Sequence, residues 1–341
     1  MAGSSLDVHV AAKGGGSENK ASFAALNPGD DVADWVVRTV ETLGAGWCPP
    51  GILGIGVGGT AEKAMLLAKE SLLQPIDMTD LLARGPRTAQ EEMRVNLYRR
   101  VNALGIGAQG LGGLTTVLDV KIATYPVHAA SMPVALIPQC VADRHIGFRL
   151  DGSGPAGFVA PRTDDWPQVA LDAGADAIRV DLDRLTPAEV AGWRAGETLL
   201  LSGRLLTGRD AAHKRLAAML ERGEDLPVDL KGRAIYYVGP VDAVAGEAVG
   251  PAGPTTSTRM DPYTDILLER TGLLVMIGKA ERGDETVASI GRHGAAYLIA
   301  VGGAAYLVSK AVRSAKVIAF DDLGMEAIHE FVVEDLSLIH I

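Results

Sequence analysis

The feature that most constrains the fold is a short apolar segment that turns through glycines into a helix. Residues 52–60 are typical of a buried strand followed by a glycine loop, and a helix with one apolar face begins at Ala61. Further short apolar segments alternate with helical ones, at residues 197–206, 234–238, 273–277, 295–301 and 317–320. This alternation predicts an α/β fold in which strands and helices form layers.

A glycine-rich stretch and the irregular residues after it divide the chain. Residues 152–157 interrupt the strand and helix pattern, and a new unit begins near Thr186. Thr186 is a suitable helix N-cap, because proline follows it at the first helical position. The predicted organisation is an α/β domain over residues 1–157, a linker over 158–184 and a smaller α/β domain over 185–341.

Composition argues against several classes of function. The formal net charge is −10, and no basic stripe indicates nucleic-acid binding. No run of about 18 uncharged apolar residues predicts a membrane span, and no signal-peptide pattern is present. Two cysteines in 341 residues do not make a disulfide framework. We therefore expect a cytoplasmic protein without nucleic-acid or membrane partners.

The two cysteines, Cys48 and Cys140, lie in segments of similar character although they are far apart in sequence. Cys48 lies between Trp47 and two prolines, which stiffen the backbone around the thiol. Such a thiol can be a metal ligand or a reactive group, although a single buried cysteine more often packs as a small hydrophobic residue. His128 and Cys140 bracket an apolar strand, so we expect both to face one pocket.

Glycine-rich loops suggest two kinds of anion or cofactor site. Residues 13–20 combine three glycines with two lysines and could hold an anion, although a flexible linker has the same composition. Residues 54–59 and 105–110 each fit the pattern G-x-G-x-x-G. Prolines crowd the strand before the first match, and a strand-like segment follows the second. Neither match therefore supports a dinucleotide site.

Three basic residues of the second domain lie in loops or at the ends of elements: Arg209, Arg259 and Lys279. Arginine binds a carboxylate through two parallel hydrogen bonds, and lysine adds a compact positive charge. Any one of the three alone is typical of a surface charge. The three together are compatible with a pocket for a dicarboxylate.

Several ungapped motifs, in order over residues 11–334, resemble the iron–sulfur-dependent class I fumarate hydratases. These motifs lie at residues 13–20, 46–51, 128–140, 203–213 and 253–261. The resemblance is less specific for the substrate, because tartrate dehydratases share the architecture. It implies a second domain of the swivelling β/β/α type and a homodimer.

By this resemblance, Cys48 and Cys140 match two of the three cysteine ligands of a [4Fe–4S] cluster whose fourth iron binds the substrate. The third cysteine has no counterpart here. We therefore expect an N-terminally truncated chain that is inactive as it stands. The implied reaction is the hydration of fumarate to (S)-malate in the citric acid cycle, with the open iron as the Lewis acid.

The resemblance also implies the residues that contact the substrate, namely Gly15, His128, Arg209, Arg259 and Lys279. Thr255 matches the base proposed for this family. A threonine hydroxyl is a poor base by itself, so a nearby cation such as Lys279 would have to activate it. The site is then expected to form between the two domains. Tartrate or a related hydroxy-dicarboxylate is the alternative substrate, and an inactive fragment is the alternative outside enzymes.

Overall fold

A computed structural model describes residues 4–155, 157, 176–244 and 246–340. The chain divides into two units, residues 1–172 and 173–341. Both units combine helices with strands, so the predicted α/β class is confirmed. None of the described helices is long and apolar enough to cross a membrane.

The first unit contains a four-stranded sheet and a separate two-stranded ribbon. Its strands are β1 (Leu6–Ala11), β2 (Ser22–Leu26), β3 (Gly51–Gly58), β4 (Val117–Tyr125), β5 (Met132–Gln139) and β6 (His145–Leu150). Its α-helices are α1 (Gly15–Glu18), α2 (Val32–Leu43), α3 (Ala61–Ser71), α4 (Met78–Arg84) and α5 (Ala89–Ala103). The sheet order is β2-β5-β3-β4, and β1 pairs antiparallel with β6.

Strand β3 is central and explains the density of glycine in its sequence. It pairs parallel with β4 and antiparallel with β5. A Cβ atom on Gly54 would lie 2.2 Å from the carbonyl oxygen of Ala68, in α3. One on Gly56 would lie 2.0 Å from that of Ala64. These glycines therefore allow α3 to pack closely on the sheet, while α2, α4 and α5 contribute to the apolar core on the other face.

The second unit is built on one larger sheet. Its strands are β7 (Ile178–Asp181), β8 (Thr198–Thr207), β9 (Ala234–Tyr236), β10 (Val275–Gly278), β11 (Ala296–Ile299), β12 (Val312–Ala319) and β13 (Ile328–His340). Its α-helices are α6 (Pro187–Val190), α7 (Asp210–Glu221), α8 (Asp261–Thr271), α9 (Asp284–Arg292) and α10 (Ala305–Lys310). Residues 158–175 of the predicted linker lie outside the described residues. The later part of that linker includes β7, a strand of this sheet, rather than only irregular chain.

Strands β7 to β11 lie side by side in chain order and are parallel. Strand β13 runs antiparallel to β12 and β11, and it also pairs antiparallel with β8. Neighbouring residues of the parallel strands belong to two different apolar cores, so both faces of the sheet are buried. Because the parallel strands point the same way, the loops after β8, β9 and β10 meet at one edge.

Candidate active site

The antiparallel register of β3 and β5 brings the two cysteines together. Ile52 pairs with Gln139, so Cys48 precedes β3 at the edge of the sheet where Cys140 follows β5. The backbone N–H of Val141 donates to the carbonyl oxygen of Cys48 at 3.2 Å. Both cysteines are buried. The two residues that sequence analysis proposed as metal ligands are therefore neighbours in the fold.

Several contacts hold the backbone around Cys48. Its φ is +63°, and the Pro–Pro peptide bond that follows is cis. Gln109 donates its backbone N–H and its side-chain Nε2 to the carbonyl oxygen of Pro49, at 2.8 and 2.9 Å. A Cβ atom on Gly51 would lie 2.0 Å from the carbonyl oxygen of Gln139, so this close approach of β3 and β5 requires glycine.

Two lysines of the predicted anion loop lie beside the cysteine segments. Lys13 lies close enough to Cys140 for an electrostatic interaction, and its Nζ forms an ion pair with Glu18 at 3.2 Å. Burial lowers the pKa of Lys13, while the Glu18 carboxylate acts in the opposite direction. A Cβ atom on Gly46 would lie 3.2 Å from Nζ of Lys20. Two lysines therefore lie next to the segments that carry the cysteines.

The arrangement fits part of an iron–sulfur site. Such clusters are held by cysteine thiolates, and two adjacent buried thiols beside positive charge match two ligand positions. Within the described ranges, no three or more His, Cys, Asp and Glu side chains form a group that could hold a metal ion. The sequence contains two cysteines. A three-cysteine site would therefore take its third thiolate from outside these 341 residues.

His128 lies at the other end of β5 from Cys140. The strand contains eight residues, which span about 26 Å when extended. The two residues of one chain therefore do not face one pocket, in contrast to the expectation from sequence. The exposed ring of His128 accepts a hydrogen bond from the backbone N–H of Ala130 at 3.1 Å. It lines a cavity of about 900 Å³ together with Lys63 and Tyr125.

Gly15, the proposed backbone contact to the substrate, is the first residue of α1. The N–H groups of the first turn of a helix have no partner within the helix. The predicted flexible or anion-binding loop at residues 13–20 is thus partly helical, because a single helical turn forms after Gly14.

In the second unit, the edge at the carboxyl ends of the strands collects the residues proposed from sequence. Arg209 follows β8 by two residues, and Lys279 follows β10 directly. The backbone N–H of Thr255 donates to the carbonyl oxygen of Tyr237 at 2.6 Å, and that of Lys279 donates to Thr255 at 3.2 Å. Thr255 and Lys279 are 7% and 9% exposed. The proposed base and the lysine beside it are therefore paired and buried.

The two arginines are held differently. Arg259 makes a two-pronged ion pair with Asp210, at 2.9 Å through Nε and 2.6 Å through Nη2. Nη2 of Arg209 lies 3.0 Å from Glu326, whereas its buried Nε has no hydrogen-bond partner in the part of the chain that the structure describes. A buried donor without a partner is unusual in a folded protein and is suited to an acceptor that a ligand brings.

His213 belongs to the motif at residues 203–213 but was not among the site residues proposed from sequence. Its ring is buried in α7, and Nδ1 lies 3.0 Å from the carbonyl oxygen of Arg209. A carbonyl only accepts, so Nδ1 carries the proton. Burial lowers the pKa of His213 to about 4, so the ring is neutral at neutral pH. Its Nε2 has no partner among the described residues.

Two family models match consecutive parts of the chain. Residues 1–149 match the model described as fumarate hydratase (fumerase), and residues 152–341 match the one described as fumarase C-terminus. The chain therefore belongs to the fumarate hydratase family, as the sequence motifs predicted.

Curated relatives agree with this assignment. The anaerobic class I fumarate hydratase of Escherichia coli (strain K12) is 33% identical over 347 residues, which cover 95% of this chain and 62% of the relative. Fumarate hydratase 2 of Leishmania major is 33% identical over 359 residues, 98% of this chain and 61% of the relative. A putative L(+)-tartrate dehydratase subunit alpha of Methanocaldococcus jannaschii is 40% identical over 151 residues, 42% of this chain and 50% of the relative. The chain thus spans 62% and 61% of the length of the two fumarate hydratases.

Proposed function

We propose that this protein is a hydro-lyase that reversibly hydrates fumarate to (S)-malate, a reaction of the citric acid cycle. The observation that carries the proposal is the buried pair of Thr255 and Lys279, which shares one strand edge with Arg209 and Arg259. Similarity to class I fumarate hydratases over 95% of the chain supports the same activity.

The chemistry requires charge clamps and a group that moves a proton. Fumarate carries two carboxylates, and arginine and lysine hold carboxylates through charge-assisted hydrogen bonds. Arg209 offers a buried Nε–H, and Lys279 adds a buried positive charge beside Thr255. In our proposal Thr255 takes up or gives the proton at C3 of the substrate. Lys279 favours the charged form of its oxygen.

In the first unit, we propose that Cys48 and Cys140 hold two positions of a [4Fe–4S] cluster. When bound, the cluster supplies a Lewis acid for the substrate oxygens. Lys13 places a positive charge next to Cys140 and balances part of the negative charge of the thiolates. The backbone N–H groups at Gly15 are the proposed contact to a substrate carboxylate.

His128 stays a proposed substrate contact, but in a different arrangement. Strand β5 separates it from Cys140 in the same chain, so a site that uses both residues takes them from two copies of the chain. This is a geometric reason to propose a homodimer. A cytoplasmic location completes the proposal, because two cysteines suit a reducing compartment.

Ligand binding tests the proposal without requiring a cluster. Fumarate and malate are titrated into the full chain and into Lys279→Gln, with Lys316→Gln, an exposed lysine of β12, as the matched control. We expect Lys279→Gln to weaken binding by about 1.5–3 kcal/mol, the value of a hydrogen bond to a charged group. Equal affinity in the two variants would remove Lys279 from the site.

Cluster assembly is tested separately by anaerobic reconstitution with iron and sulfide. The chain supplies two thiolates, so we expect little or no stable cluster from these 341 residues alone. Stoichiometric iron and sulfide, with the broad visible absorption of an intact cluster, would contradict the three-thiolate requirement.

Tartrate is the alternative substrate, because the tartrate dehydratase relative is 40% identical over 151 residues. The same titration with L-tartrate distinguishes the two. Tighter binding of tartrate than of malate would favour this alternative and would leave the hydro-lyase class unchanged.

A further inference from the structure

We propose that the hydroxyl group of Tyr297 is a positioning group that fixes Thr255 and Lys279 relative to each other. The assignment of those two residues to a catalytic site rests on the proposed function, whereas the contacts of Tyr297 do not. Tyr297 lies in β11, beside β10, and is 5% exposed. It acts through the two backbone segments that carry Thr255 and Lys279.

The Tyr297 hydroxyl joins these two segments directly. It lies 2.7 Å from the carbonyl oxygen of Ala280 and 2.7 Å from Oγ of Ser257. A carbonyl only accepts, so Tyr297 donates to Ala280 and accepts from the Ser257 hydroxyl. Ala280 directly follows Lys279, and Ser257 comes two residues after Thr255. One hydroxyl group therefore links the segment that carries Thr255 to the segment that carries Lys279.

The turn that carries Lys279 needs such an anchor. Ala280 has a φ of +62°, a left-handed conformation that is strained for a residue with a Cβ atom. At Gly278, the position of a Cβ atom lies only 1.9 Å from Oγ of Ser257. The backbone N–H of Ser257 also donates to the carbonyl oxygen of Lys279 at 3.0 Å. Ser257 and Tyr297 thus hold this tight turn from two sides.

The ring of Tyr297 is held in place in turn. The guanidinium carbon of Arg282 lies 5.1 Å from the ring centroid. Arg282 donates to Asp261 and to Thr264, each at 2.6 Å. Burial raises the pKa of Tyr297, so its hydroxyl is protonated and remains a donor at neutral pH. The ring therefore presents a hydrogen-bond donor of fixed position.

The competing explanation is that Tyr297 only stabilises the core, and the chain contains a matched control. Tyr236 lies in β9, is 1% exposed, and donates its hydroxyl to the carbonyl oxygen of Ala252 at 2.8 Å. Tyr236→Phe and Tyr297→Phe each remove one buried hydroxyl bound to a backbone carbonyl. The two variants are expected to lose similar stability, but only Tyr297→Phe should disturb Lys279.

The experiment is competitive acetylation of the lysines in the folded full chain, measured for each peptide by mass spectrometry. We expect Lys279 to react roughly fivefold faster in Tyr297→Phe, the factor that loss of one buried hydrogen bond gives for local opening. In Tyr236→Phe its rate should equal that of the wild type. Tyr236→Phe reports on loosening of the second unit, and Lys121, which is 1% exposed in the first unit, checks that reagent access is otherwise unchanged.

Malate titration gives a second measurement that core stability alone does not move. Tyr297→Phe should weaken binding roughly fivefold relative to Tyr236→Phe, at equal stability. Equal Lys279 labelling in the two variants, or a rise matched by Lys121, would overturn the positioning role. If wild-type protein bound no dicarboxylate, the proposed function would fail, while labelling would still decide the role of Tyr297. If Tyr297→Phe does not fold, Ser257→Ala carries the same test, with faster labelling as the supporting result.

Discussion

A group of four buried or partly buried charges in the first unit differs sharply from the candidate-site segments. This quartet consists of Asp77, Arg94, Asp119 and Lys121. Lys121 lies 2.5 Å from Asp77 and 2.9 Å from Asp119, and Arg94 contacts both carboxylates, at 3.0 Å for Asp119. Backbone N–H groups of Asp77 and Met78 complete the partners of Asp119. Two positive and two negative charges are therefore balanced, and none of their buried atoms lacks a hydrogen-bond partner.

The candidate-site segments contain the opposite arrangement. Three buried side-chain atoms of the described residues have no hydrogen-bond partner, namely Trp47 Nε1, Arg209 Nε and His213 Nε2. Trp47 precedes Cys48, and the other two lie at the start of α7. An unpaired buried polar atom costs stability, so folding alone does not account for it. The quartet therefore differs from the candidate-site segments in this respect, since each of the three unpaired atoms lies in a segment that we assign to ligand binding.

The largest effect is expected where pairing is complete. Asp119→Asn keeps the shape of the side chain but removes a charge that faces both Lys121 and Arg94. Breaking a buried ion pair by removing one partner typically costs about 3–5 kcal/mol. We expect a loss of this size in the first unit, measured by urea titration with hydrogen exchange at β3 and β4 as the local probe.

The control is Asp322→Asn, which removes an exposed carboxylate paired with Arg215 at 2.7 and 2.8 Å. Exposed ion pairs contribute little, so this variant should unfold at nearly the wild-type urea concentration. If Asp119→Asn were as mild as the control, the quartet would not be structural, and the contrast between paired and unpaired charges would lose its meaning.

The second effect concerns His213 and depends on pH. Its pKa is about 4 in the folded chain and 6.5 in the unfolded one, so the unfolded state binds the proton first as the pH falls. The second unit therefore loses stability from pH 6.5 downward, and the loss levels off below pH 4. The full difference corresponds to about 3 kcal/mol. His213→Phe should remove this component, as measured by hydrogen exchange of α7 between pH 7 and 4.

His293→Asn is the matched variant, because it removes a partly exposed histidine from the same unit. It should keep the wild-type acid dependence of α7. An unchanged pH profile in His213→Phe would show that the pKa of His213 is not lowered in the folded state.

Most of the fold of both units could be predicted from local sequence signals. Helix α3 begins at Ala61, as predicted, and the apolar segments at residues 197–206 and 273–277 contain most of strands β8 and β10. The proline after Thr186 and the hydroxyl cap indicated α6, and Thr186 does accept from the N–H of Glu189. These signals depend on neighbours within four residues, which a sequence displays directly.

Long-range geometry could not be predicted in the same way. The adjacency of Cys48 and Cys140 depends on the register of β3 with β5, and only the family resemblance indicated it. Asp210 was not foreseen as the partner of Arg259, since the two are 49 positions apart. The sequence places His128 at one end of an apolar strand and Cys140 at the other, but it does not show that the length of β5 keeps them apart. Distances across a strand or between loops require the backbone path.

The smallest of the three effects tests whether Arg259 belongs with the structural charges or with the site. Its guanidinium is paired with Asp210, as in the quartet, but Asp210 directly follows Arg209, whose Nε is unpaired. Arg259→Lys keeps the charge and loses the planar fork. If the fork also binds a substrate carboxylate, malate affinity should fall by about 1.5–3 kcal/mol in calorimetric titration.

Arg222→Lys provides the comparison, because Arg222 makes an equivalent two-pronged pair with Glu224 at 2.6 and 2.8 Å on the surface. Both substitutions replace a fork by a point charge, and any general effect of lysine cancels between them. Weaker malate binding in Arg259→Lys alone would place Arg259 in the site, with Asp210 as the group that orients it. If both variants bound malate as the wild type does, the Asp210 pair would belong with the quartet. The unpaired Nε of Arg209 would then be the proposed contact to the substrate carboxylate at the start of α7, without Arg259.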